Sequence, residues 1–93
     1  MTLQEIADKI KTKAADSDFS RSVKLDLGSD GVIVVDGNTV STTDGDADCT
    51  IKLSKENLEE MMAGELNPTM AYMSGKLKIE GDMTVAMQLS QVI

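Results

Sequence analysis

The chain reads as an α+β domain of four helices and a five-stranded, mostly antiparallel sheet, and three observations carry that reading. Apolar residues recur at helical spacing near the N-terminus, then at a period of two between residues 22 and 53, then at helical spacing again in a methionine-rich last third. Four strand patterns in succession imply an antiparallel sheet. The strand–helix–helix–strand crossover that follows implies one parallel pair, with the helices covering one face. At 93 residues the whole chain, 1–93, makes one domain.

The first helix spans 3–15, because Leu3, Ile6, Ala7, Ile10 and Ala14 form one stripe with Glu5, Asp8, Lys9, Lys11 and Lys13 between them. Thr2 and Glu5 have capping-box spacing just ahead of it. Ser22-Val-Lys-Leu-Asp-Leu27 alternates strictly and makes a half-buried strand, and Gly28-Ser-Asp-Gly31 turns the chain. Val32-Ile-Val-Val35 is apolar on both faces, which predicts a central strand or one covered on both sides. Asp36-Gly37-Asn38 has hairpin chemistry, leading into a more polar third strand over 39–43. After the turn Asp44-Gly-Asp46, residues 48–53 alternate again, with Cys49, Ile51 and Leu53 on one face. Ser54 caps a helix carrying Leu58, Met61 and Met62, which Gly64 stops. Asn67-Pro68 opens a short helix to Met73, ended by Gly75. Leu77 and Ile79 alternate with Lys76, Lys78 and Glu80 as a fifth strand, and Gly81-Asp82 begins a last helix that runs to the C-terminus.

Composition excludes several functions. The formal net charge is −7, from 16 acidic and 9 basic residues, which argues against nucleic acid and leaves at most transient contact with anionic membranes. A single cysteine excludes an intrachain disulfide and fits a reducing compartment. The N-terminus lacks the apolar run of a signal peptide, no stretch reaches the ~20 apolar residues of a membrane span, and Gln91-Val92-Ile93 is not a peroxisomal tripeptide. These features predict a soluble cytoplasmic domain.

Candidate chemistry is sparse. No histidine is present, which removes the commonest general base and most zinc sites. Cys49 sits on the apolar face of a strand, where a thiol packs rather than reacts. Asp44-Gly-Asp46-Ala-Asp48 starts like a calcium loop, but Cys49 stands where the loop needs glycine and Lys55 where it needs a bidentate glutamate. The glycines fall singly at turns and make no phosphate cradle. Asp16-Ser17-Asp18 is similar to the serine motif of acyl carrier proteins; those are helical bundles, and Ser17 reads as loop. Thioethers can ligate copper(I), yet without histidine or a nearby thiol the methionines read as apolar packing. The chain is therefore expected to have no catalytic residues, no metal and no cofactor.

From Asp46 onward the chain resembles the sterol carrier protein type 2 family of small lipid-binding domains. The resemblance rests on Asp46-Ala-Asp-Cys-Thr-Ile-Lys-Leu-Ser, on Gly64-Glu-Leu-Asn-Pro-Thr-Met-Ala-Tyr-Met-Ser-Gly75, and on Lys76-Leu-Lys-Ile-Glu-Gly-Asp82 followed by an apolar helix. It covers about half the chain closely, and the remainder agrees in element order and length. The resemblance implies a twisted five-stranded sheet with helices on one face, enclosing an apolar tunnel. It also implies a non-enzymatic carrier of fatty acid, acyl-CoA, phospholipid or sterol, either free-standing or appended to a partner enzyme. Two features depart from the family: Val32-Ile33 stand where many relatives have an aromatic residue, and the peroxisomal ending is missing. With Phe19 and Tyr72 as the only aromatics, these departures favour a linear acyl chain over a rigid ring system.

Six of the seven methionines lie in the last third, and 83–93 carries no charged side chain. Methionine is unbranched and polarizable and re-packs around different guests. Composition alone favours a solid core over a lined cavity; with the resemblance, the expected lipid-binding wall is Met61, Met62, Leu66, Met70 and Met73, faced by Met83, Ala86 and Met87 of the last helix, with Ile51 and Ile79 as floor.

Overall fold

A computed structural model describes residues 2–16, 21–37 and 39–89. Ser17, Asn38 and the reach of the last helix beyond Leu89 lie outside these residues. Helix α1 (Leu3–Ala15) opens on the expected capping box: the Glu5 amide donates to Thr2 Oγ1 at 3.2 Å, and the Thr2 amide donates to Glu5 Oε1 at 3.3 Å. Those bonds hold the Glu5 carboxyl below its ordinary pKa. Strand β1 (Ser22–Asp26) leads through a short 3₁₀ turn, Gly28–Asp30, into β2 (Val32–Asp36) and β3 (Thr39–Ser41). Strand β4 (Cys49–Leu53), helices α2 (Lys55–Met62) and α3 (Pro68–Met73), strand β5 (Leu77–Gly81) and helix α4 (Met83–Leu89) complete the order. Every expected element is present, with ends that differ by a residue or two. β3 stops early because the Ser41 hydroxyl accepts the Thr43 amide at 3.0 Å and turns the chain out of the ladder.

The sheet has the order β3-β2-β1-β4-β5, mostly antiparallel with one parallel pair. That pair is β1·β4, not the pair flanking the helical crossover. β4 and β5 run antiparallel although α2 and α3 separate them in sequence. Two helices in series return the chain to the end of the sheet from which it left. The 42–48 segment instead carries the chain from β3 past β2 and β1 to β4. Lys24, which alternates with the buried Val23 and Leu25 and so points off the opposite face, grips that segment through Asp44 at 2.8 Å. The contact raises the Lys24 pKa and lowers that of Asp44.

All buried strand residues share one face: Val23 and Leu25, Ile33 and Val35, Cys49, Ile51 and Leu53, and Leu77. The helices pack there, α1 over β2 and β3, α4 over β1, β4 and β5, and α3 against β5. β2 is second from the edge, not central, and its outward Val32 and Val34 are only half-buried. A short apolar run thus marks a strand without marking its place in the sheet. At the other edge, Gly81 closes β5 with a φ of 103°, and a Cβ there would meet the Asp48 carbonyl oxygen at 2.7 Å. Only glycine allows so close a backbone approach. It brings Asp82 to the head of α4, where the carboxylate accepts the Thr84 amide at 2.9 Å. Arg21 ties this corner together, lying 3.3 Å from Asp48 and 3.7 Å from Asp82.

Candidate functional site

The apolar cavity lies between the helices of the last third and the sheet beneath them. Its floor is a row across three strands, since β1 Leu25 pairs with β4 Ile51, which pairs with β5 Ile79; Leu77 extends it. α2 contributes Met61. α3 contributes Pro68, Thr69 and Tyr72, presented by an N-cap in which Asn67 Oδ1 accepts the Thr69 amide at 2.8 Å. α4 contributes Met83, Ala86 and Met87, one stripe at i, i+3 and i+4. A further bond, from Asn57 Nδ2 to the Lys76 carbonyl at 3.2 Å, fixes α2 to the start of β5.

The expected wall is therefore rearranged. Ile51, Met61, Ile79, Met83, Ala86 and Met87 meet around the cavity. Leu66 is half-buried against the core without lining it, and Met62 faces a shallow groove between α1 and α2, beside Lys9, Thr12 and Lys13. Met70 and Met73 point away, 63% and 76% exposed. On α3 the buried position is Ala71, and the turn that faces the cavity is Thr69 and Tyr72, so the methionines fall on the solvent side. Sequence reasoning missed Leu25, Leu77, Pro68, Thr69 and Tyr72. Strand parity could have found the first two, because Leu25 shares a face with Val23 and Leu77 shares a face with Ile79.

The cavity has a volume of about 60 Å³. An apolar cavity of ~150 Å³ takes up benzene, so this one holds less than a benzene ring until its walls part. Among the described residues no carboxylate, amine or thiol lines it, and its polar side chains are the hydroxyls of Thr69 and Tyr72. Cys49 lies outside the lining, buried, its thiol pKa pushed up by burial and by the negative charge of Asp82. The nearby carboxylates have structural work: Asp48 accepts from the Ser22 amide and hydroxyl and from Arg21, which holds its pKa down. Such a site can take apolar groups out of water.

A model of the SCP-2 sterol transfer family matches residues 2–93. The chain belongs to that family. It is therefore related to lipid-binding and lipid-transfer domains. Bovine sterol carrier protein 2 is 39% identical over 70 residues, which cover 70% of this chain and 13% of the bovine protein. Hydroxysteroid dehydrogenase-like protein 2 of Xenopus laevis is 45% identical over 47 residues, half of this chain and 11% of the frog protein. The chain thus spans only a small part of the curated relatives it matches. Sterol carrier protein 2 like 2 from Aedes aegypti shares the fold, with a TM-score of 0.80 at 21% identity over 98% of this chain and 95% of that one. The palmitated form of the mosquito protein superposes with a TM-score of 0.74 at 21% identity, covering 99% of this chain and 94% of that one. Among the described residues no helix is long and apolar enough to cross a membrane.

Proposed function

We propose that the chain is a non-enzymatic intracellular carrier, working in the cytoplasm, that holds a fatty acid, an acyl-CoA or a similar apolar lipid in an opened form of this cavity. The observation that carries the reading is the uncharged lining, sealed below by Leu25, Ile51 and Ile79 and bordered above by half-exposed methionines. Met61, Met83 and Met87 change rotamer at little cost, so the helical wall can part into a tunnel around a chain that the closed form excludes. α4 is held mainly by Val85, Ala86 and Leu89, apolar contacts that let it serve as a movable gate. Burial gains ~0.8 kcal/mol per methylene, so about ten methylenes supply roughly 8 kcal/mol before ordering costs. Before those costs this corresponds to a dissociation constant on the order of micromolar, a tight limit that suits a carrier that must release its cargo. The palmitated mosquito relative supports a fatty acid; the name of the bovine relative keeps a sterol among the ligands to test.

A fluorescent fatty acid should bind at tens of micromolar or tighter, within the range that burial energetics allow. Met87→Glu should weaken it by about tenfold or more through the cost of burying a charge, whereas Met70→Glu, away from the cavity, should not. Absence of binding, or equal loss in both variants, sinks the assignment.

A second reading, a module that presents a lipid substrate to a partner enzyme, is favoured by the dehydrogenase-like relative, in which the match is a small part of a longer protein. A stable enzyme partner in pull-downs, with no ligand retained, would favour this reading over the carrier.

A further inference from the structure

We propose that Met83 and Met87 are a peroxide-sensitive modification site, at which conversion of the thioethers to sulfoxides closes the cavity to apolar ligands. The inference rests on the binding reading above and adds to it a chemical off-switch. Among the described residues four methionines are exposed, but they divide by position. Met70 and Met73 face solvent alone, whereas Met83 and Met87, 43% and 52% exposed, also line the cavity. They are four residues apart on α4 and so stand on one face of it, beside Ala86. Met61 lines the same cavity from inside and is only 7% exposed. The single thiol, Cys49, is buried with its pKa raised, which suppresses the thiolate that peroxide would otherwise attack first. Exposure thus puts oxidation on the methionines, and geometry puts two of them at the mouth.

The step is a two-electron oxygen transfer from hydrogen peroxide. A lone pair of the thioether sulfur attacks one peroxide oxygen, the S–O bond forms and the O–O bond breaks. A proton passes to the departing hydroxide and water leaves; sulfur is oxidised and peroxide reduced. The product is polar and chiral, and a sulfoxide reductase returns it to the thioether. In this wall the sulfoxide oxygen must either bond to water or to the hydroxyls of Thr69 or Tyr72, drawing the side chain away from the apolar floor, or be buried among Leu25, Ile51 and Ile79, which offer no donor. Both outcomes oppose occupancy by an apolar chain. Met70 and Met73, more exposed and off the cavity, oxidise earlier without touching the ligand site.

The test is graded treatment of the folded protein with hydrogen peroxide at neutral pH, with peptide mass spectrometry and a fluorescent fatty acid titration on the same samples. Oxygen should appear first on Met73 and Met70, then on Met87 and Met83, with Met61 reduced throughout. Affinity should fall about tenfold, the size expected for a polar group facing an apolar ligand, in step with Met83 and Met87 and not with the earlier pair. In a Met83→Leu/Met87→Leu protein the affinity before and after treatment should be the same, whatever its starting value. A Met70→Leu/Met73→Leu protein should still lose affinity. Equal loss in the Met83→Leu/Met87→Leu protein, or full oxidation of Met83 and Met87 without loss, overturns the inference while leaving the carrier reading intact. If the untreated protein binds no probe, the cavity reading falls and takes this one with it.

Discussion

One sheet carries two helical layers built differently. Under α1, the packing is made from Ile6, Ile10, Ala14, Ile33 and Val35, all fully buried. Under α3 and α4 the same sheet meets Met61, Tyr72, Met83 and Met87, three of them partly in solvent, around an unfilled space. β-branched side chains have few rotamers and specify a single packing, whereas methionine has three rotatable bonds and tolerates several. The first layer holds the fold, and the second is left able to yield.

The contrast predicts unequal costs for similar deletions. Ile10→Ala should destabilise by about 2–5 kcal/mol in urea unfolding, since a sealed site relaxes little around a side chain with no exposed surface. A cost below ~1 kcal/mol would mean that the α1 layer is as loose as the other. Met87→Leu, a near volume-conserving change in the yielding layer, should shift stability by less than ~1.5 kcal/mol by the same measurement; a larger loss would make α4 part of the rigid core. The smallest effect should come from the Arg21–Asp48–Asp82 cluster at the head of α4. The folded Asp48 pKa is lowered first by its bond from the Ser22 backbone amide, then by Arg21 and the Ser22 hydroxyl. Its contribution is therefore fully present above the ordinary carboxylate pKa of about 3.9 and is lost as pH falls through the lowered folded value. Asp48→Asn should melt slightly earlier than the parent protein at neutral pH and at the same temperature in strong acid. A gap that persists in acid would assign the effect to shape and not to charge.

Local pattern was enough for each element and for the buried face of each strand, because alternation and capping are properties of neighbouring residues. The Val23/Leu25 and Cys49/Ile51/Leu53 alternations are examples. Partner choice was not legible: nothing in the alternation of β1 says that its parallel neighbour is β4, 26 residues away at Val23↔Cys49. The site was half legible for a related reason. Met83 and Met87 follow from helical spacing, but α3 has six residues, too few for a periodic stripe to tell Met70 and Met73 from Thr69 and Tyr72. There the rotation is set by the Asn67 cap and the burial of Ala71.

The parallel seam between β1 and β4 has a consequence for the growing chain. During synthesis β1, β2 and β3 can pair as a meander while the far edge of β1 still waits for residues 49–53. Until they arrive, the future middle of the sheet is a bare edge, a template for pairing with other chains. Lys24 and Asp26, placed midway along it and at its end, put charges of both signs on that edge. Such charges discourage a foreign strand during the interval in which the native one has not yet been made.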